Sequence, residues 1–400
     1  GGVDRLRSRR GPERGGQRHR SGAGASGGVC SRTGTCPAST GPAARAGPGA
    51  AVAGWRFLLG AAVEQEGLAP PGPRGRFPLS PWRVVCGSAS DLRRAAVIVS
   101  ASRRTDLPAY YGPWLRARLR EGWCETVNPF NPRQRRRVSL LAEDVDAWVF
   151  WTRQPWRLAA LLDDLEAAGH TRVVALVSLT GLGAPLEPRA PSEQRVVDAM
   201  RSLARRWGSR RRVVWRYDPI VLGPRDGPEQ HVARFERIAR RLAGSVERVV
   251  VSVLDRYRKT RRRLAALEQG SGYPLCSEEQ EPVLAREVLE RLVPVAGEYG
   301  FRIQSCAEPL ARDVAGLEPG RCIDGAWLAE LFPDRLFEMR SDRGQRSTCG
   351  CHRSVDIGSP DTCLHGCAYC YATVSLQAAR TRYAAHDPAA AALPPGSRPG

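Results

Sequence analysis

From residue 95 the chain alternates short apolar, β-branched runs with stretches of helical period. The apolar runs are Ala95–Ser102, Val145–Trp151, Arg172–Leu179, Arg212–Tyr217, Arg248–Leu254 and Phe301–Cys306. Each is short, flanked by turn residues and rich in Val, Ile or aromatics, the signature of a buried strand. Trp123–Val127 is a weaker candidate of the same kind. Helical patterns fall between the runs, near 109–121, 156–168, 192–207, 228–243 and 278–299. Strands alternating with helices predict parallel βα units. Six or seven such units over about 250 residues fit an α/β fold of (β/α)-barrel type, complete or partial. A doubly wound open sheet is the alternative.

The pattern divides the 400 residues into four segments. Residues 1–94 are rich in Gly, Ala, Pro, Arg and Ser and have no sustained period. Such a stretch cannot bury enough apolar area to offset chain entropy, so it is expected to be disordered, or to reflect a misplaced translation start. Residues 95–345 hold the barrel-like domain. Residues 346–385 form a cysteine-rich segment of turn residues, with a short helix expected at its end. Residues 386–400 read as a disordered Pro/Ala tail.

Charge changes this picture little. The formal net charge is +20, but residues 1–94 carry 15 Arg against 5 acids, and residues 95–400 carry 46 basic residues against 36 acids. The folded part is moderately basic, which allows a nucleic-acid partner without requiring one. No run of about 18 apolar residues is present, so no membrane span is expected. Twelve cysteines are few for this length, and five crowd between 349 and 370. Crowding of that kind favours a metal in a reducing, cytoplasmic compartment over a disulfide framework.

The sharpest chemical signal lies in Cys363-Leu364-His365-Gly366-Cys367-Ala368-Tyr369-Cys370-Tyr371. Three thiolates at C-x3-C-x2-C spacing can hold three irons of a [4Fe–4S] cube and leave the fourth open to a ligand. A structural zinc site needs four closed ligands, and ferredoxin-type clusters normally use four cysteines. Cys349 and Cys351 lie just upstream, with His352 beside them. They would complete a zinc site of four or five thiolates, or ligate a second centre.

Ligands of parallel β/α folds bind at the C-terminal strand ends, so the polar residues there are candidates. After the first strand come Arg103, Arg104, Thr105 and Asp106. The arginines suit an anion, while Thr105 or Asp106 equally suits a helix cap ahead of Pro108. Asn128 follows the weak strand within an Asn-Pro turn signal. Trp151 is either core or a stacking surface. Arg216 and Asp218 alternate at a strand end, either as an internal ion pair or as groups facing a polar cavity. Asp255 ends the next strand. Lys259 is the sole lysine among 61 basic residues, which hints at a role arginine cannot fill. Glu308 follows the last strand and could contact an amino group, and Cys306 reads as a small buried apolar residue. Arg216, Asp218, Asp255, Lys259 and Glu308 are the candidate catalytic residues. Arg103, Arg104, Asp106, Asn128 and Trp151 are the candidate substrate- or cofactor-binding residues.

Five strings occur in order: Ser100-Ala101-Ser102-Arg103-Arg104-Thr105-Asp106, Asn128-Pro129-Phe130-Asn131-Pro132, Val149-Phe150-Trp151-Thr152, Trp215-Arg216-Tyr217-Asp218-Pro219, and Cys349-Gly350-Cys351 with the three-cysteine loop. Over about 96–375 the chain thereby resembles the bacterial family known as domain of unknown function 1848. That resemblance implies a C-terminal cysteine cluster similar to the radical S-adenosylmethionine (SAM) motif. The wording C-x-H-G-C-x-Y-C-Y is itself similar to radical SAM proteins of the spore photoproduct lyase-like group. It implies a cluster on Cys363, Cys367 and Cys370, SAM as co-substrate, a 5′-deoxyadenosyl radical, and an electron donor such as ferredoxin or flavodoxin. The substrate is unspecified; nucleic acid is suggested by analogy alone. The usual cysteine loop follows the first barrel strand, whereas this one comes last. A circularly permuted barrel reconciles the two, since close termini make permutation tolerable. The alternative is a non-enzymatic zinc or iron–sulfur protein that binds nucleic acid.

Overall fold

A computed structural model describes residues 97–129 and 131–394. The expectation for 1–94, Phe130 and the final six residues lie outside it. Ten strands are present: β1 (Val97–Ala101), β2 (Trp123–Asn128), β3 (Asn131–Ser139), β4 (Val145–Thr152), β5 (Val173–Ser178), β6 (Val213–Ile220), β7 (Arg248–Val253), β8 (Arg302–Cys306), β9 (Glu318–Gly320) and β10 (Val355–Asp356). The helices are α1 (Leu107–Tyr110), α2 (Gly112–Glu121), α3 (Pro155–Ala159), α4 (Leu162–Ala167), α5 (Glu193–Arg206), α6 (Pro228–Leu242), α7 (Arg258–Ser271), α8 (Glu281–Glu298), α9 (Gly325–Leu331) and α10 (Leu376–Ala384).

Eight strands form one sheet in the order β10-β1-β4-β5-β6-β7-β8-β9, and every pairing in it is parallel. The six expected strands are its centre. Every residue of β4 and of β7 is buried, as expected when both faces of a parallel sheet are covered. One face packs on the helices through Trp114, Trp148, Phe150, Trp215 and Phe235, with Trp215 stacked on Phe235 at 4.6 Å between ring centres. The other face buries Ile98, Val149, Val174, Leu176, Val214 and Val250 with Ile323, just ahead of α9, and Trp327 and Leu328 within it. The molecule is thus an α/β fold built on one eight-stranded parallel sheet. Its two edges are β9 and β10.

Three features depart from the expectation. The weak strand Trp123–Val127 is real, but it pairs antiparallel with β3 in a separate hairpin. The reason is side-chain chemistry: β3 carries Arg133, Arg135, Arg136 and Arg137, all exposed, and cannot enter a sheet buried on both faces. Residues 386–394, read from sequence as the start of a disordered tail, lie against α2 and β2. The Trp114 indole donates to Ala390 O at 2.9 Å, Glu125 N to Ala391 O at 2.8 Å, and Leu393 is buried. The third is β10, two residues long, which adds parallel to β1 ahead of the three-cysteine loop. No described helix is long and apolar enough to cross a membrane.

Candidate functional site

A cavity of about 420 Å³ opens at the C-terminal ends of the sheet, lined by Arg103, Trp151, Arg216, Asp218, the 252–255 segment and the cysteine loop, among others. The join between β10 and β1 forms one wall. Asp356, ending β10, accepts hydrogen bonds from Ser100 Oγ (2.8 Å), Ser102 Oγ (2.6 Å), Arg103 N (2.8 Å) and Gly358 N (3.0 Å). Gly358 is required there: a Cβ would fall 1.9 Å from Ser102 Oγ.

The three-cysteine loop follows immediately and is fixed by buried polar contacts. Asp106 caps α1 by accepting from Ala109 N at 3.1 Å. Its Oδ2 also accepts from Arg153 N and from His365 Nε2, both at 2.8 Å. With Nε2 donating, His365 Nδ1 accepts from the Tyr110 hydroxyl at 3.1 Å. Arg153 pairs with Glu187 at 2.8 Å, and the Tyr369 hydroxyl donates to the same carboxylate. Burial alone would raise the Glu187 carboxyl, but the Arg153 guanidinium holds it below its ordinary range. The Arg263 guanidinium donates to Cys370 O and Thr373 O. Burial pushes the Cys363 thiol well above its ordinary value and the Cys367 thiol up to about 11. Metal ligation would have to release these protons. All three cysteines line the cavity, and among the described residues no three His, Cys, Asp or Glu side chains are gathered around an ion.

Beside the loop, Trp151 is only 8% exposed and its indole donates to Ser100 Oγ at 3.1 Å. The guanidiniums of Arg103 and Arg216 lie over its ring at 5.5 and 4.7 Å. Both readings of Trp151 therefore hold, core on one side and cavity wall on the other. Arg216 and Asp218 are paired with each other and both line the cavity; Asp218 also accepts from Ser252 Oγ. Arg104 and Asp255 line it too, with Asp255 paired to Arg346 at its exposed rim.

Three candidates are not among the lining residues. Glu308 turns back into the fold and accepts from Val253 N and Leu310 N, both at 3.4 Å, capping the turn that follows. Burial raises its carboxyl above the ordinary value. Lys259 is exposed in the first turn of α7. Asn128 sits in the β2–β3 hairpin, with its amide 2.7 Å from Gln134 Oε1. The causes differ: Glu308 satisfies backbone amides, Lys259 lies in a helix beyond the strand end, and Asn128 belongs to the separate hairpin.

Cys349 and Cys351 do not join the three-cysteine loop. The Cys351 thiol has Cys306, Cys322 and Cys349 as its thiol neighbours, and Cys349 reaches the group through Cys351. Cys306 and Cys322 sulfurs lie 3.3 Å apart, so Cys306 is part of a thiol group and not simply core. Sequence reasoning gave Cys322 no role, because sixteen residues and no motif separate it from Cys306. Arg153 carries no sequence signal of its own, whereas His365 and Tyr369 stand inside the cysteine string.

The family model for a domain of unknown function (DUF1848) matches residues 98–372, and the chain belongs to this family. No curated protein matches the chain. Among solved structures, the crystal structure of citrate synthase SbnG is similar over 53% of this chain and 78% of that one, at 13% identity and a TM-score of 0.21. A likeness so slight bears on neither fold nor activity.

Proposed function

We propose, from membership of the DUF1848 family and from the cavity, that this chain is a radical SAM-type enzyme built on a permuted barrel-like sheet. The observation that carries the reading is positional: a C-x3-C-x2-C loop directly follows a parallel strand, β10, and borders a cavity of about 420 Å³ at the strand ends. Cys363, Cys367 and Cys370 would hold a [4Fe–4S] cluster with one open iron. A reduced cluster held there would supply the electron for reductive cleavage of SAM.

The chain's own residues do the positioning. Asp106, His365 and Tyr110 fix the first half of the loop, and Arg153, Glu187 and Tyr369 fix the second. Arg263 holds the exit of the loop by donating to the Cys370 and Thr373 carbonyls. Arg103 and Arg216 give the cavity wall positive charge suited to a carboxylate or phosphate. Beside Arg216, Asp218 and Ser252 would offer hydrogen-bond partners to an ammonium or hydroxyl.

The direct test is reductive SAM cleavage. The full chain, purified anaerobically and reconstituted with iron and sulfide, is reduced with dithionite in the presence of SAM. Formation of 5′-deoxyadenosine is followed by mass spectrometry. Product is expected from the native chain and lost in Cys363→Ala, Cys367→Ala and Cys370→Ala. Product no greater than in these variants rules the reading out.

A further inference from the structure

We propose that Cys306, Cys322, Cys349 and Cys351 form a second metal site, a mononuclear tetrathiolate zinc centre distinct from the three-cysteine loop. Cys306 ends β8, and its Cα is in register with Gly320 of β9. Cys322 follows two residues later, so strand pairing delivers both thiols to one spot, 3.3 Å apart. The chain returns at Cys349-Gly350-Cys351. There Arg321 Nε donates to Gly350 O at 2.8 Å and His352 N donates to Ile323 O at 2.9 Å. Ile323 N–H points to Cys351 Sγ at 3.4 Å, the kind of amide donor that supports a metal-bound thiolate.

The surroundings fit a negative centre. The guanidiniums of Arg103, Arg216 and Arg248 all lie close enough to interact electrostatically with the Cys322 sulfur, and those of Arg103 and Arg248 with Cys351 as well. Each already has one acidic partner, Asp342, Asp218 and Asp324 in turn. Even so, Arg103 Nη2, Arg216 Nε and Arg248 Nε and Nη2 are buried with no acceptor, and Arg248 is only 5% exposed. Buried donors of this kind are costly unless something negative faces them. Four thiolates around one Zn²⁺ carry two net negative charges, which answers that need.

The Cys306–Cys322 separation of 3.3 Å favours a single ion over a cube. A Zn–S bond of about 2.3 Å sets tetrahedral sulfurs about 3.8 Å apart, whereas a cube spreads its ligand sulfurs over separate corners. As they stand, no three His, Cys, Asp or Glu side chains among the described residues are set around an ion. Loading therefore widens the Cys306–Cys322 separation by about half an ångström and releases the thiol protons. The centre would staple the segment leading into β10 onto β8 and β9, the opposite end of the sheet. It would thus hold the strand that carries the three-cysteine loop.

This inference does not depend on SAM chemistry, and metal content separates the two. Zinc and iron per chain are measured by mass spectrometry on the anaerobically purified full chain, on Cys322→Ser/Cys351→Ser, and on Cys363→Ala/Cys367→Ala/Cys370→Ala. About one zinc per chain is expected in the native protein and in the triple variant, and none in the double variant. Absence of zinc from the native chain overturns the proposal. So does zinc that survives in the double variant, zinc lost from the triple variant, or iron found in place of zinc at this site. Should the double variant not fold, Co²⁺ exchanged into the native chain decides. Thiolate charge-transfer and tetrahedral ligand-field bands support four sulfurs, and their absence refutes them.

Discussion

Replacing Asp106 with Ala should be strongly destabilising. Its carboxylate is 6% exposed and accepts from three donors on three segments: Ala109 N, Arg153 N and His365 Nε2. Asp106→Ala leaves Arg153 N–H and His365 Nε2–H buried and unpaired, at about 1–3 kcal/mol each. It also removes the cap of α1, worth about 1 kcal/mol. The total is about 3–7 kcal/mol, a large share of a stability of about 5–15 kcal/mol. Urea unfolding of the full chain measures it, and a double-mutant cycle with His365→Ala isolates the cross-segment bond. The coupling should be about 1.5–3 kcal/mol, the range for a hydrogen bond to a charged group. Both single variants should also release reconstituted iron faster than the native chain. A loss under about 1 kcal/mol, or single effects that add to within about 0.5 kcal/mol, would refute the role assigned to Asp106.

Gly358→Ala should displace the Ser102 turn, because the new methyl overlaps Ser102 Oγ and Cβ; reduced iron loading at unchanged helix content, read by circular dichroism, checks this. His231 is buried between Val221 O (2.9 Å) and the Tyr217 hydroxyl (2.8 Å), and burial pushes its pKa down to about 4. The unfolded chain then binds the extra proton first, so stability is full above about pH 6.5 and falls toward pH 4 by about 3 kcal/mol. Urea unfolding across that range should show the slope, and His231→Gln should flatten it. Lys259→Arg should leave iron content and SAM cleavage unchanged, since Lys259 is exposed and outside the cavity lining; a tenfold loss of cleavage would restore the significance its uniqueness suggested.

The parts of the fold legible in the sequence were those where burial imposes a pattern. Six β-branched runs became the centre of the sheet because both of its faces are covered. The helices α5 and α6 were equally plain, since each turns one apolar stripe to the core. Illegible elements lacked that constraint. The strand β3 is almost entirely polar, and β9 and β10, at three and two residues, are too short to display a period. In the site, the three-cysteine loop was readable because its ligands are local in sequence. Cys322 was not, because its neighbours arrive by the pairing of β8 with β9 and by a return of the chain twenty-seven residues later. Trp151, Arg216 and Asp218 reached the cavity as strand-end logic suggested, while Glu308 satisfied backbone amides instead.

The central claim is an open iron on Cys363, Cys367 and Cys370. Electron paramagnetic resonance of the reduced, reconstituted full chain, recorded with and without SAM, tests it most directly. A [4Fe–4S]⁺ signal that changes on adding SAM is the predicted result. A cluster signal indifferent to SAM, or no cluster signal at all, would contradict the account.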